Sequence, residues 1–185
     1  MFVERVALAA VPGYARVAQS ALDAALASIT RAGEGQQRAL RAAYLEMEQR
    51  QPSLAAYVAH ELSELPLREV QTAAYFLAVL VYRAFTEAFG ERLARVELRD
   101  INRALARLVA DSELRAEHVR GQTYSEDAIA VGQPALLCCV RAQIERAVHS
   151  QPELAWESLD AFYESLLVMV LVLTQAVAAP GTPLA

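Results

Sequence analysis

The stretch that most constrains this chain is Leu166-Leu167-Val168-Met169-Val170-Leu171-Val172-Leu173, eight apolar residues in unbroken succession. No charged residue follows Glu164 as far as Ala185. A surface helix carries one apolar stripe and a polar back, whereas a helix that is apolar all round must be surrounded. Protein or lipid can do the surrounding, and length decides between them. The apolar run ends at Ala179, before Pro180-Gly181-Thr182-Pro183, and a bilayer takes roughly 20 apolar residues to cross. The expectation is a buried core helix, with no membrane span. The absence of Gly and Pro from Glu157 to Ala179 favours one long helix over a buried strand.

A second stretch has the same character. Ala73 to Tyr82 lies in an uncharged window between Glu69 and Arg83, and it shares the tripeptide Val79-Leu80-Val81 with Val170-Leu171-Val172. The chain is therefore expected to be all-α. It reads as a single-domain bundle of seven to nine helices over 1–185, around two strongly apolar central helices at about 70–89 and 153–179. An apolar content of 55% with only seven Gly and seven Pro fits a compact helical protein. At this length a core forms without disulfide or metal staples.

The other segments read as amphipathic helices that wrap this pair. Phe2 to Ala10 is a short helix or arm. Tyr14 to Arg31 places Val17, Ala21, Ala25 and Ile29 on one face, and Gly33-Glu34-Gly35 stops it. Gln36 to Gln49 follows. Pro52 opens a helix with the stripe Leu54, Val58, Leu62 and Leu65, since Pro suits the first helical turn. Pro66 restarts the chain, and Gly90 ends that helix. Glu91 to about Val119 reads as one long helix with Leu93, Ile101, Leu105 and Leu108 inward. A loop-rich connection at 120–133 contains a short helix capped by Ser125. Pro134 to His149 and a helix opened by Pro152 complete the set, with a loose tail at 180–185. Gln51-Pro52-Ser53-Leu54-Ala55 matches Gln151-Pro152-Glu153-Leu154-Ala155, which suggests a weak internal duplication with copies at 36–89 and 136–179.

Charge and cysteine content narrow the function classes. All 17 basic residues are arginine and the net charge is −5. The arginine bias points to a GC-rich, bacterial genome, and the acidic balance argues against a nucleic-acid partner. Cys138 and Cys139 are adjacent, cannot form an ordinary disulfide, and read as small buried residues in a reducing, cytoplasmic setting. No Walker loop, His-Glu-x-x-His, Gly-x-Ser-x-Gly or zinc-spaced cysteine set occurs.

Three groups of residues are candidates for chemistry. Tyr57, Tyr75, Tyr82, Trp156 and Tyr163 could line an apolar pocket for a small ligand between helices. His60 and Glu64 stand one turn apart and could form a polar or metal site, although no helix supplies the Glu-x-x-His signature and no metal or cofactor is expected. Arg92, Arg95, Arg99, Arg103 and Arg107 form a ladder along one helix flank. Arg95, Arg99 and Arg103 are its candidate anion-binding face, and Glu91, Asp100 and Asp111 are placed to pair with Arg95, Arg103 and Arg107. The leading functional expectation is a non-enzymatic protein that works by helix–helix association, most simply as a homodimer. A small-molecule-binding bundle is the alternative, and a metal or acid–base enzyme centred on His60 the third.

Overall fold

The computed structural model describes residues 11–30, 34–117, 129, 132–150 and 156–181. Among them are seven α-helices and no strand: α1 (Gln19–Ile29), α2 (Glu34–Arg50), α3 (Pro52–Ser63), α4 (Arg68–Phe89), α5 (Leu98–Glu117), α6 (Pro134–Ser150) and α7 (Trp156–Ala176). The helices expected at Phe2–Ala10 and from Ser125, and the start expected at Pro152, lie outside the described residues, as does most of the tail.

Local chemistry accounts for several boundaries. Pro52 and Pro134 are the first residues of α3 and α6, where a missing N–H costs nothing. α4 ends on Gly90 at φ +52°, a conformation in which a side chain would be strained. The Gly33-Glu34-Gly35 stop is displaced, because α2 already begins at Glu34 and carries Gly35 in its first turn.

α4 and α7 pack on each other. α4 also packs against α1, α2, α3 and α6, and α7 against α3, α5 and α6. Every residue from Leu77 to Tyr82 and from Leu166 to Leu173 is buried, with none more than 7% exposed. Each large apolar side chain so buried contributes roughly 1.5–3 kcal/mol. The stretch Arg68–Arg92 is long and apolar enough, by length and composition, to cross a membrane. In this fold 56% of its most apolar window is buried against the other helices.

Two helices start later than periodicity predicts, α1 at Gln19 instead of Tyr14 and α5 at Leu98 instead of Glu91. The reason is tertiary. Ahead of each helix, after a short 3-10 turn (Gly13–Ala15 and Gly90–Arg92), an extended segment has its backbone groups taken by a buried glutamine. The Gln133 amide donates to Ala15 O at 2.7 Å and to Thr174 Oγ1 at 3.0 Å, and accepts from Val17 N at 2.9 Å. The Gln51 amide donates to Ala94 O at 3.0 Å and accepts from Val96 N at 2.7 Å. Gln133 is 1% exposed and Gln51 3%. Each precedes the proline that opens a helix, and each holds an Ala-Arg-Val tripeptide, 15–17 and 94–96. The residue that acts as Gln51 does is thus Gln133; Gln151 lies outside the described residues.

The second extended segment is also paired with the end of α7. Leu93 and Val177 form an antiparallel bridge, with Ala94 N donating to Ala176 O at 2.9 Å and Ala178 N to Arg92 O at 2.8 Å. This pairing stops α7 at Ala176, three residues before the expected end. Gly132 lets the arm at Val11 approach, because a Cβ there would fall 2.2 Å from Val11 Cγ2. The cysteines depart from expectation: Cys138 is exposed and Cys139 half-buried. The buried face of α6 runs through Leu136, Leu137, Val140 and Ile144, and Cys138 falls on the opposite side, with Cys139 at its edge. Burial pushes the Cys139 thiol up.

Candidate functional site

The aromatic residues are distributed over several contacts. Tyr75 on α4 donates to Leu40 O at 3.3 Å, and its ring lies 5.2 Å from that of Tyr44, which donates to Ala55 O at 3.2 Å. These two rings fasten α2 to α3 and α4, and burial raises both phenols above their ordinary range. Tyr57 on α3 is hydrogen-bonded to Ser165 of α7, and Ser165 donates in turn to Glu61 Oε2 at 2.5 Å. Burial pushes Tyr57 up to about 12, against the Ser165 bond, which lowers it. Tyr82 is 1% exposed, and its hydroxyl has no partner among the described residues. Burial, with Glu46 nearby, pushes it up to about 12. Tyr163 is half-buried against the core, and the Trp156 side chain lies outside the described residues. The open clefts at the head of α1 and beside α6 are lined by other residues.

His60 and Glu64 both stand in solvent at the end of α3. Tyr57, one turn back, reaches across to α7 instead of joining them. Among the described residues no three His, Cys, Asp or Glu side chains gather so as to hold a metal ion.

The arginine ladder is shorter than expected. Arg92 lies in the 3-10 turn and Arg95 in the extended segment, which leaves Arg99, Arg103 and Arg107 on α5. The expected Glu91–Arg95 pair does not form, because Glu91 binds Arg50 at 2.6 Å. The Asp100–Arg103 pair does form, at 3.8 Å. The Asp111 side chain lies outside the described residues. A polar cross-link that the sequence reading missed runs Glu91–Arg50–Glu46–Arg83–Glu87 and ties α2 and α4 to the turn after α4. Its two i,i+4 pairs, Glu46/Arg50 and Arg83/Glu87, are legible as spacings; the links between elements are not.

The outer face of α5 is the unusual surface. Leu98 is 60% exposed and Leu105 36%. Leu105 was expected in the core, but the inward positions are Ile101, Ala104 and Leu108. Ile101 and Ala104 already fill the buried arc, and Leu105 falls roughly 100° round the helix from Ala104. Arg99 and Arg103 lie about 100–140° round from Leu98, with side chains 79% and 59% exposed. Arg95, 60% exposed, precedes the helix. Their nearest carboxylates are 3.8–4.0 Å away, on Glu97 and Asp100. Exposed pairs of that kind contribute little, about 0–1 kcal/mol. The exposed arc of α5 thus carries Leu98 and Leu105 on one flank and, across it, guanidiniums with donors to spare.

No protein-family model, no curated protein and no solved structure matches this chain.

Proposed function

We propose that the chain is a helical bundle built about α4 and α7 that acts by association, as a homodimer, through the outer face of α5. The observation that carries this reading is the exposure of Leu98 and Leu105 on the same outward arc of α5 as Arg99 and Arg103. Exposed leucines gathered on one helix face mark interaction sites more often than isolated ones do. A second copy is the partner we assign, because the same chain carries the complement. Leu67 is 47% exposed at the α3–α4 corner and stands between the exposed Glu64 and Glu69. Apolar contact would supply affinity, and the arginine–glutamate pairing register.

Sedimentation equilibrium tests the reading. The wild-type protein is expected to be dimeric at micromolar concentration and to dissociate as salt rises. Arg99→Glu with Arg103→Glu should weaken the dimer at least ~10-fold, the effect of ~1.4 kcal/mol. Adding Glu64→Arg with Glu69→Arg should restore it. A monomer at every concentration, or a dimer indifferent to these charges, sinks the reading. The aromatic-pocket and His60 readings draw less support. Tyr57 and Tyr75 spend their hydroxyls on protein partners, and His60 and Glu64 stand in solvent.

A further inference from the structure

A cleft of about 390 Å³ opens between the head of α1 and the foot of α4, and its walls include Tyr14, Arg16, Ser20, Glu87, Phe89 and Arg92. Two of these are arginines, and neither is among the ion pairs formed by the described residues. Glu87, the one acid in the wall, is engaged by Arg83. The Arg92 guanidinium lies over the Phe89 ring, 5.5 Å from its centroid, a contact that leaves its N–H edge able to donate. Both arginines project from pinned backbone. Arg16 sits between the Ala15 and Val17 groups held by Gln133, and the Arg92 carbonyl is held by Ala178 N. Two guanidiniums on fixed backbone lining one cleft suit an oxyanion, which they would bind by charge-assisted hydrogen bonds.

The other half of the molecule supplies an internal control. α5 follows its own Ala-Arg-Val segment and brings a carboxylate to its first turn: Asp100 Oδ2 accepts from Glu97 N at 3.1 Å. The matching positions before and within α1 are Ala18 and Ala21, so α1 has no side-chain cap and no acid in its first turn. Where one helix head carries its own anion, the other carries two unpaired arginines and an open cleft.

We propose that this cleft binds a small molecule through a carboxylate or phosphate group. The anion sits between Arg16 and Arg92 beside the first turn of α1, whose end favours negative charge. The body of the ligand lies against Tyr14 and Phe89. The two unpaired guanidiniums in one cleft carry the assignment, and the helix end adds to it. This site is separate from the outer face of α5 and does not depend on the dimer.

Calorimetric titration of the full chain at constant ionic strength tests it, with phenyl phosphate and benzoate as probes. Saturable binding of at least one probe is expected. The tighter probe identifies the ligand as a phosphate ester or a carboxylic acid. Arg16→Gln and Arg92→Gln should each weaken binding at least ~10-fold, while Arg38→Gln, on the exposed side of α2, leaves it unchanged. Ala18→Asp supplies the missing cap. It should raise the melting temperature by about 2–4 °C and lower affinity for either probe, a pair of effects that misfolding cannot produce. Equal affinity in the wild-type, Arg16→Gln and Arg92→Gln proteins, or no saturable response to either probe, overturns the assignment.

Discussion

α1 and α5 begin alike and differ where they face outward. Each follows an Ala-Arg-Val segment clamped by a buried glutamine. Aligned on that tripeptide, Leu22, Ala25 and Ile29 correspond to Ile101, Ala104 and Leu108, and all six face the core. The outer positions part company. α1 has Gln19, Ser20, Asp23 and Ala24, with the Gln19 amide donating to Asp23 at 2.9 Å, where α5 has Leu98, Arg99, Asn102 and Arg103. The fold therefore makes the same demand on the inner positions of both helices and none on the outer ones. The core contacts of the two helices therefore do not account for the exposed leucines and arginines of α5 or for the uncapped head of α1.

The strongest test of this correspondence is to remove each clamp in turn. Gln133→Ala orphans the Val17 N–H and the Ala15 carbonyl and also frees Thr174, so it should cost about 2–4 kcal/mol in urea unfolding. Gln51→Ala, with two bonds lost, should cost less, about 1–3 kcal/mol. A loss below about 0.5 kcal/mol in either would mean that the two extended segments are not held alike. Next comes the outer face of α5. Replacing Leu98, Arg99, Asn102 and Arg103 with the α1 residues, Gln, Ser, Asp and Ala, should leave stability within about 1 kcal/mol while abolishing dimerisation. A large loss of stability would show that the outer face of α5 serves the fold after all.

The two most apolar helices allow a finer comparison. Val79-Leu80-Val81 of α4 is followed by Tyr82, and Val170-Leu171-Val172 of α7 by Leu173. Tyr57 and Tyr82 are both raised by burial to about 12, above the ordinary 10. A group whose folded pKa is raised stabilises the fold fully below its unfolded pKa and loses that contribution as pH climbs through the folded value. Stability should thus hold to about pH 9 and fall between about pH 10 and 12. Tyr82→Phe should soften that fall. At neutral pH the same substitution should be neutral or stabilising by up to about 1 kcal/mol, because it removes a buried hydroxyl without a partner among the described residues. A destabilisation of about 2 kcal/mol instead would show that the hydroxyl is hydrogen-bonded in the folded chain.

What the amino-acid order determined by itself was the helical content and most of its punctuation. Eight apolar residues in a row, prolines at 52 and 134 and a glycine at 90 act through local sterics and through the need to cover an all-apolar helix, and both are readable along the chain. Tertiary structure decided where α1, α5 and α7 begin or end. The groups that compete for their backbones, Gln133, Gln51 and the Leu93 segment, come from distant positions. The repeated Ala-Arg-Val and the glutamine before each proline were visible as letters, but no periodicity rule makes an extended tripeptide call for a distant amide. The same holds for the sites. Spacing placed Arg95, Arg99 and Arg103 on one flank, but only the folded chain took Arg92 and Arg95 off the helix and turned Leu105 outward. It also set Arg92 beside Arg16 in one cleft. A helix periodicity tells which residues share a face, and the neighbours that fold against the helix decide which face meets water.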